Sequence, residues 1–251
     1  MGLVEVFEAP LDELRITVVY DNTAFRQDLE ADWGFSCLIE GLERTILFDT
    51  GARGTILLNN MDRLGIDPGD VRTVLLSHEH WDHVDGLDGF LERNSDVDVL
   101  LLGSFPFKLS STISAFGGRT VVVDGPLEIV PGAYSTGPLS GEMEEQSLLL
   151  ATGRGTIVIT GCAHPGIAEI VRRAAGITGQ EILLVMGGFH LRNCSESDVM
   201  EITGEFGRLG VGFAGPCHCT GEEQIRVFER EYGGNFVSIG AGRRIYIEDL
   251  L

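Results

Sequence analysis

Residues 77–83 read Ser77-His78-Glu79-His80-Trp81-Asp82-His83, directly after the apolar run Thr73 to Leu76 and just before Gly86. Two imidazoles at i and i+2 point the same way if the chain is locally extended. A carboxylate and a third imidazole follow two and three residues later. Imidazole and carboxylate together suit zinc, and also iron or manganese. A purely structural loop has no need of this pattern, so the segment reads as a metal-binding turn at the end of a strand.

The other three histidines, His164, His190 and His218, also follow apolar runs, in segments rich in glycine or acid. Structural histidines would scatter over helix surfaces and strand faces as well. Here all six share one setting.

Outward from this centre, short β-like runs alternate with helical stretches. Arg15 to Tyr20, Phe35 to Glu40, Thr45 to Phe48, Val97 to Leu102 and Thr120 to Val123 read as strands, and Thr55 to Leu64 as a helix closed by Gly65. A loop is expected from Gly132 to Glu145, then a hairpin built on residues 147–161. Later come a helix from Pro165, a strand over 181–188, and a helix opened by Ser195 with Asp198. A strand over 211–215 precedes a helix to Tyr232 that Thr220 and Glu223 would cap as a box. Strands over 236–240 and 243–249 close the chain. The order implies one α/β domain over 1–251, made of two αβ halves (roughly 1–125 and 126–251) packed sheet to sheet in four layers.

Composition narrows the function classes. The 251 residues are 43% hydrophobic and 22% charged, enough for a sizeable core. A formal net charge of −20 argues against nucleic acid, because phosphate binding needs a basic surface. No apolar run reaches the roughly 18 residues of a membrane span. The start, MGLVEVFEAPLDELR, lacks the basic and apolar parts of a signal peptide, so a cytoplasmic protein is expected. Five cysteines with no Cys-x-x-Cys pair argue against a disulfide framework, a zinc ribbon and an iron–sulfur cluster.

The His-x-His-x-Asp-His segment resembles the metallo-β-lactamase superfamily, and other segments support the match. Phe48-Asp49-Thr50-Gly51 looks like the family's first motif, whose aspartate supports the metal ligands from behind. Cys162, in Gly161-Cys162-Ala163-His164, stands where the family usually places a bridging aspartate. The usual earlier histidine is missing from residues 134–141, and His164 is expected to replace it. Cys162 is then a ligand or a buried thiol. His218, in Pro216-Cys217-His218-Cys219-Thr220, matches the last motif. His190 has a similar setting, and either completes the metal site instead or faces the metals as a catalytic or substrate-binding residue.

The resemblance implies a four-layer αββα sandwich and two cations, most simply zinc. His78, His80 and His164 would hold one, and Asp82, His83 and His218 the other. Asp82 would also orient the nucleophile, with His190 as a second catalytic residue. The implied activity is a metal-dependent hydrolase acting on an ester or phosphoester metabolite. The segments around Cys162, His190 and His218 also resemble an archaeal branch whose enzyme condenses a dihydropterin diphosphate with ribofuranosyl-aminobenzene phosphate, which makes a transferase the alternative. Either substrate is a small molecule, and phosphate recognition is expected from Arg192, Thr220 and Arg119. Oligomeric state is left open.

Overall fold

The alternation of side chains along a strand puts every second residue on the same face, so an all-apolar strand demands cover on both sides. In the computed structural model, which describes Glu8 and residues 13–250, such strands build two sheets. The first holds β1 (Arg15–Tyr20), β2 (Ser36–Glu40), β3 (Thr45–Phe48), β4 (Val71–Leu75), β5 (Asp98–Leu102) and β6 (Arg119–Val123). Helices α1 (Gly54–Leu64), α2 (Trp81–Val84), α3 (Leu87–Arg93) and α4 (Phe107–Phe116) lie between these strands in sequence.

The second sheet holds β7 (Leu127–Val130), β8 (Ala133–Ser135), β9 (Leu148–Thr152), β10 (Gly155–Thr160), β11 (Ile182–Gly188) and β12 (Phe213–Cys217). With it come α5 (Ile167–Thr178), α6 (Glu196–Arg208) and α7 (Glu222–Tyr232). A short β13 (Arg244–Tyr246) returns to the first sheet beside β1. The spatial orders are β13-β1-β2-β3-β4-β5-β6 and β12-β11-β10-β9-β8-β7.

Alternation assigns the layers. Leu148, Leu150, Ile157, Ile159, Leu184 and Met186 join the cluster shared with the first sheet. Their neighbours Leu149, Ala151, Val158 and Val185 face a separate cluster with Ile170, Val171, Phe206 and Phe228 of the helices. The expected α/β sandwich, two sheets enclosed by helices, is therefore present. Trimming one such leucine to alanine costs about 2–5 kcal/mol.

Several local readings change. Helices α3 and α4 were not expected, and β8 lies inside the stretch read as loop. Helix α5 starts at Ile167, after Gly166 at φ 94°, so Pro165 stays outside it. Residues 236–240 form no strand, only a bridge from Phe236 to Ala214 and a Val237 N–H bond to the Ala214 carbonyl. The Ser195–Asp198 capping box forms as expected. The Thr220–Glu223 box does not, because Gly221 at φ 91° separates Thr220 from α7.

Parallel pairing runs through β3, β4, β5 and β6 in one sheet and through β10, β11 and β12 in the other. The loops leaving the carboxyl ends of parallel strands are the usual place for a site in such sheets. His78 follows β4, His164 follows β10, His190 follows β11 and His218 follows β12. No helix among the described residues is long and apolar enough to cross a membrane.

Candidate metal centre

The site begins behind the ligands, at Asp49. Its Oδ1 accepts the Ser77 N–H at 2.7 Å, and its Oδ2 accepts the Ser77 hydroxyl and the His83 Nδ1–H, each at 2.7 Å. With its one hydroxyl proton directed at Asp49, Ser77 can only accept from His78 Nδ1, 2.9 Å away. Asp49 thus holds both imidazoles by their Nδ1 sides, directly for His83 and through Ser77 for His78, and turns both Nε2 atoms inward. His218 is fixed from the other sheet. Its Nδ1–H donates to Asn22 Oδ1 at 3.0 Å, an oxygen that also accepts the Gly34 N–H.

Two imidazole nitrogens and a carboxylate oxygen therefore converge. His83 Nε2 lies 3.2 Å from His218 Nε2, and His218 Nε2 lies 3.2 Å from Asp82 Oδ2. Acceptors facing acceptors at this range repel unless a proton or a cation stands between them. His164 adds a second sign. Both its ring nitrogens are buried without a hydrogen-bond partner, while its ring sits 4.8 Å from those of His78 and His80.

Two triads emerge whose ligand atoms lie within 4.8 Å of one another: His78, His80 and His164, and Asp82, His83 and His218. The fold brings together the six residues the sequence pointed to; among the described residues it also groups Cys162 with His78 and His83, Cys162 with His190 and Cys219, and Glu142 with His164 and His190. His80 reaches its place from an extended backbone, at φ −66° and ψ 142°, while Asp82 and His83 ride on the first helical turn of α2. The donor set, five imidazoles and a carboxylate, fits zinc, iron or manganese.

The electrostatics match a cation-binding centre. Burial, then neighbouring imidazoles, hold His78 well below its ordinary value, and burial with His190 and His80 brings His164 down to about 4. Both rings are neutral at neutral pH and so have a lone pair free for a cation. Burial lifts the Asp82 carboxyl, but the His218 bond and the His83 charge outweigh it and keep Asp82 ionised. Burial likewise opposes protonation of His83, yet Asp49 dominates and raises that imidazole to about 9.

Sequence reading missed the group that shapes the second motif. Glu145 is fully buried, and its Oε1 accepts from the N–H groups of Gly161, Cys162 and Ala163 and from the Thr160 hydroxyl, at 2.9–3.0 Å. Its Oε2 accepts the His164 N–H at 2.8 Å. The loop that carries His164 is wound around this one carboxylate. Nothing distinguishes Glu145 from Glu142 and Glu144 in sequence. Asn22 and Trp33 were also missed, and the Trp33 ring lies 5.1 Å from that of His218.

Backbone strain marks the same loops. Asp49, Ala163, His190 and His218 have φ between 50° and 63°, and they are the non-glycine residues with positive φ among those described. Each such residue costs on the order of 1–3 kcal/mol, so the surrounding packing over-determines these loops.

Cys162 is buried, with Sγ 3.3 Å from His83 Nε2, close enough to serve as a ligand beside the second triad. His190 borders the first triad on its open side. Its ring is 4.4 Å from that of His164, its side chain is 47% exposed, and it approaches Glu142 at 3.9 Å. A hydrogen bond with Cys219 raises its pKa. The neighbouring Cys219 and burial push the Cys162 thiol well above the ordinary value, while Cys162 and His190 draw the Cys219 thiol down against burial.

The phosphate expectations fare differently. The Thr220 side chain is buried, donating to the Cys217 carbonyl at 2.6 Å and accepting the Phe189 N–H at 3.0 Å, so it braces the His218 loop and faces no substrate. Arg119 lies on β6 and pairs with Asp98 at 2.7 Å. Arg192 lies on the wall of a cavity of about 650 Å³ that His218 also lines. Its guanidinium sits 5.3 Å over the Trp33 ring.

Comparisons with known proteins bear on the family and the fold. The metallo-beta-lactamase superfamily model matches residues 34–109. The chain is 27% identical, over 94% of its length and 97% of the relative's, to the 7,8-dihydropterin-6-methyl-4-(beta-D-ribofuranosyl)-aminobenzene-5'-phosphate synthase of Methanocaldococcus jannaschii. An uncharacterised protein of that archaeon is 29% identical over 82% of this chain and 90% of its own. Among structures, a metal-dependent hydrolase of the beta-lactamase superfamily superposes with a TM-score of 0.79 at 30% identity, covering 92% of this chain and 98% of that one. A metallo-beta-lactamase fold protein from Bacillus subtilis reaches 0.70 at 13% identity, over 92% and 99% of the two chains, a likeness of fold alone.

Proposed function

From a chain that belongs to the metallo-β-lactamase superfamily, we infer a two-cation hydrolase of a small ester or phosphoester metabolite. The observation that carries this reading is the convergence of the His83 and His218 Nε2 atoms and Asp82 Oδ2, each able to bind a cation once His83 gives up its proton, around one point. Bound cations supply Lewis acidity at a carbonyl or phosphoryl oxygen and acidify water. The chain does the rest. Asp49 holds His83 directly and His78 through Ser77, so neither ring can turn away. Asp82, kept ionised beside His218, accepts a hydrogen bond from the attacking water and aims it. Glu145 keeps the His164 loop from relaxing.

The cavity between Trp33 and His218 is the place for the remainder of the substrate. Arg192, over Trp33, offers a planar cation for a phosphate or carboxylate there. Glu222 and Glu223 in the first turn of α7 face the same cavity and oppose a second anion, so one anionic group is the better fit.

A second reading, pterin transfer, is favoured by likeness over nearly the whole length of the Methanocaldococcus jannaschii synthase. Cations at the two triads would then neutralise a leaving diphosphate, and the second substrate would bring the nucleophile. Zinc-loaded protein incubated with both pterin-pathway substrates separates the two. Diphosphate release that depends on the aminobenzene partner supports transfer, and turnover of simple phosphodiesters or esters alone supports hydrolysis. Loss of neither activity on removing the cations overturns both.

A further inference from the structure

Three groups left over from the two triads stand together: Cys162, Cys219 and His190, with Sγ, Sγ and a ring nitrogen within 4.8 Å of one another. They come from the loops after β10, β12 and β11, and the two cysteines are 57 residues apart, so no local spacing announced them. We propose that they form a third, sulfur-bearing cation site beside the two triads, with Cys162 on the wall between them.

The cluster is built for closeness. A Cβ on Gly188 would fall 2.6 Å from the Cys219 sulfur and 2.4 Å from the Gly161 carbonyl, so only glycine at the end of β11 lets the thiol in. His190 and Ala163 hold left-handed backbone in two of the three loops, and His218 does so directly before Cys219. Cys162 Sγ also lies 3.3 Å from His83 Nε2, which puts it on the boundary with the second triad, and Cys219 Sγ reaches the Cys162 carbonyl at 3.6 Å. Tetrahedral zinc bound to thiolate and imidazole places its ligand atoms about 3.5–3.8 Å apart, inside the 4.8 Å within which these three atoms lie. Two thiolates and one imidazole select a thiophilic cation, zinc-like or copper(I)-like, over magnesium or manganese. Both sulfurs are buried while the His190 side chain is half exposed, so the imidazole is the group of the three nearest solvent. His190, expected from sequence to be catalytic or the last ligand of a pair, becomes a ligand here.

Cobalt(II) titration of the reduced, metal-free protein tests the proposal. Three equivalents per chain are expected, one of them with an intense near-ultraviolet thiolate-to-cobalt band. Cys219→Ser is expected to bind two equivalents, keep their visible absorption and lose the sulfur band. Two equivalents in the parent protein, or a sulfur band that survives Cys219→Ser, overturns the third site, since Cys162 would then serve the His83 triad alone. The visible absorption of the first two equivalents reports the triads separately, so failure of the two-cation reading is distinguishable. If Cys219→Ser does not fold, alkylation of the parent protein decides. The last equivalent should protect Cys162 and Cys219 together, and unchanged alkylation rates overturn the idea.

Discussion

Glu145→Gln tests how firmly the His164 loop is held. The carboxylate accepts four bonds on Oε1, from Thr160, Gly161, Cys162 and Ala163, and one on Oε2 from the His164 N–H. Glutamine keeps one accepting oxygen and makes the other position a donor. With its oxygen serving the four, its amide N–H points at the His164 N–H, and two buried donors oppose each other. A buried donor left unpaired costs about 1–3 kcal/mol. The four remaining bonds lose their charge assistance, roughly half their strength, while removal of a buried charge offsets part of that loss. The net expectation is about 2–3 kcal/mol. In a chain of this size that lowers the melting temperature by roughly 4–12 °C. Thermal unfolding of the chelated protein reads this directly, and zinc titration should show affinity at the His78–His80–His164 triad reduced about tenfold. A melting temperature within a degree of the parent's, with unchanged zinc affinity, would refute the reasoning.

Other perturbations reach the same network. Asp49→Asn puts an amide where His83 and Ser77 both donate, and zinc affinity by calorimetry should fall about 10–100-fold. Because His83 is raised from 6.5 to about 9, its contribution to the chelated protein is full below pH 6.5 and lost as pH rises to 9. The melting temperature of the chelated protein should therefore drop across that window, and a flat or rising profile contradicts the His83–Asp49 assignment. Zinc-loaded protein should instead weaken toward acid, as protons displace the metal. Arg192→Ala should raise KM for phosphorylated substrates selectively, and an equal loss for uncharged ones would remove Arg192 from substrate binding.

The candidate ligands were legible because their chemistry is dense in sequence. His78, His80, Asp82 and His83 lie within six residues, after an apolar strand that no other fold element would imitate. Asp49, His164 and His218 followed because each also ends a strand. The supporting groups were hidden by distance and ordinariness. Glu145 is one of three nearby glutamates, and only the tertiary fold places its carboxylate under the Gly161 to His164 loop. Thr220 and Glu223 have the right spacing for a capping box, but the tight turn at Gly221 diverts the hydroxyl into the core. Helix α4 carries serines, a threonine and a Phe107 side chain that is 85% exposed, so its periodicity is weak. Strand β8 is three residues long, too short for alternation to register.

The division of the triads between two sheets has a kinetic meaning. His83 and His218 are 135 residues apart in the chain, and His83 and Cys162 are 79 apart. Gln146 adds a cross-sheet tie, bonding to the Leu76 and Ser77 carbonyls beyond β4. Pairings of such long sequence separation form late, after the entropy of closing large loops has been overcome. A cation can meet the complete set of ligands only once the sheets have docked. Zinc would then act as a latch on the folded chain, slowing its unfolding and leaving its refolding rate almost untouched.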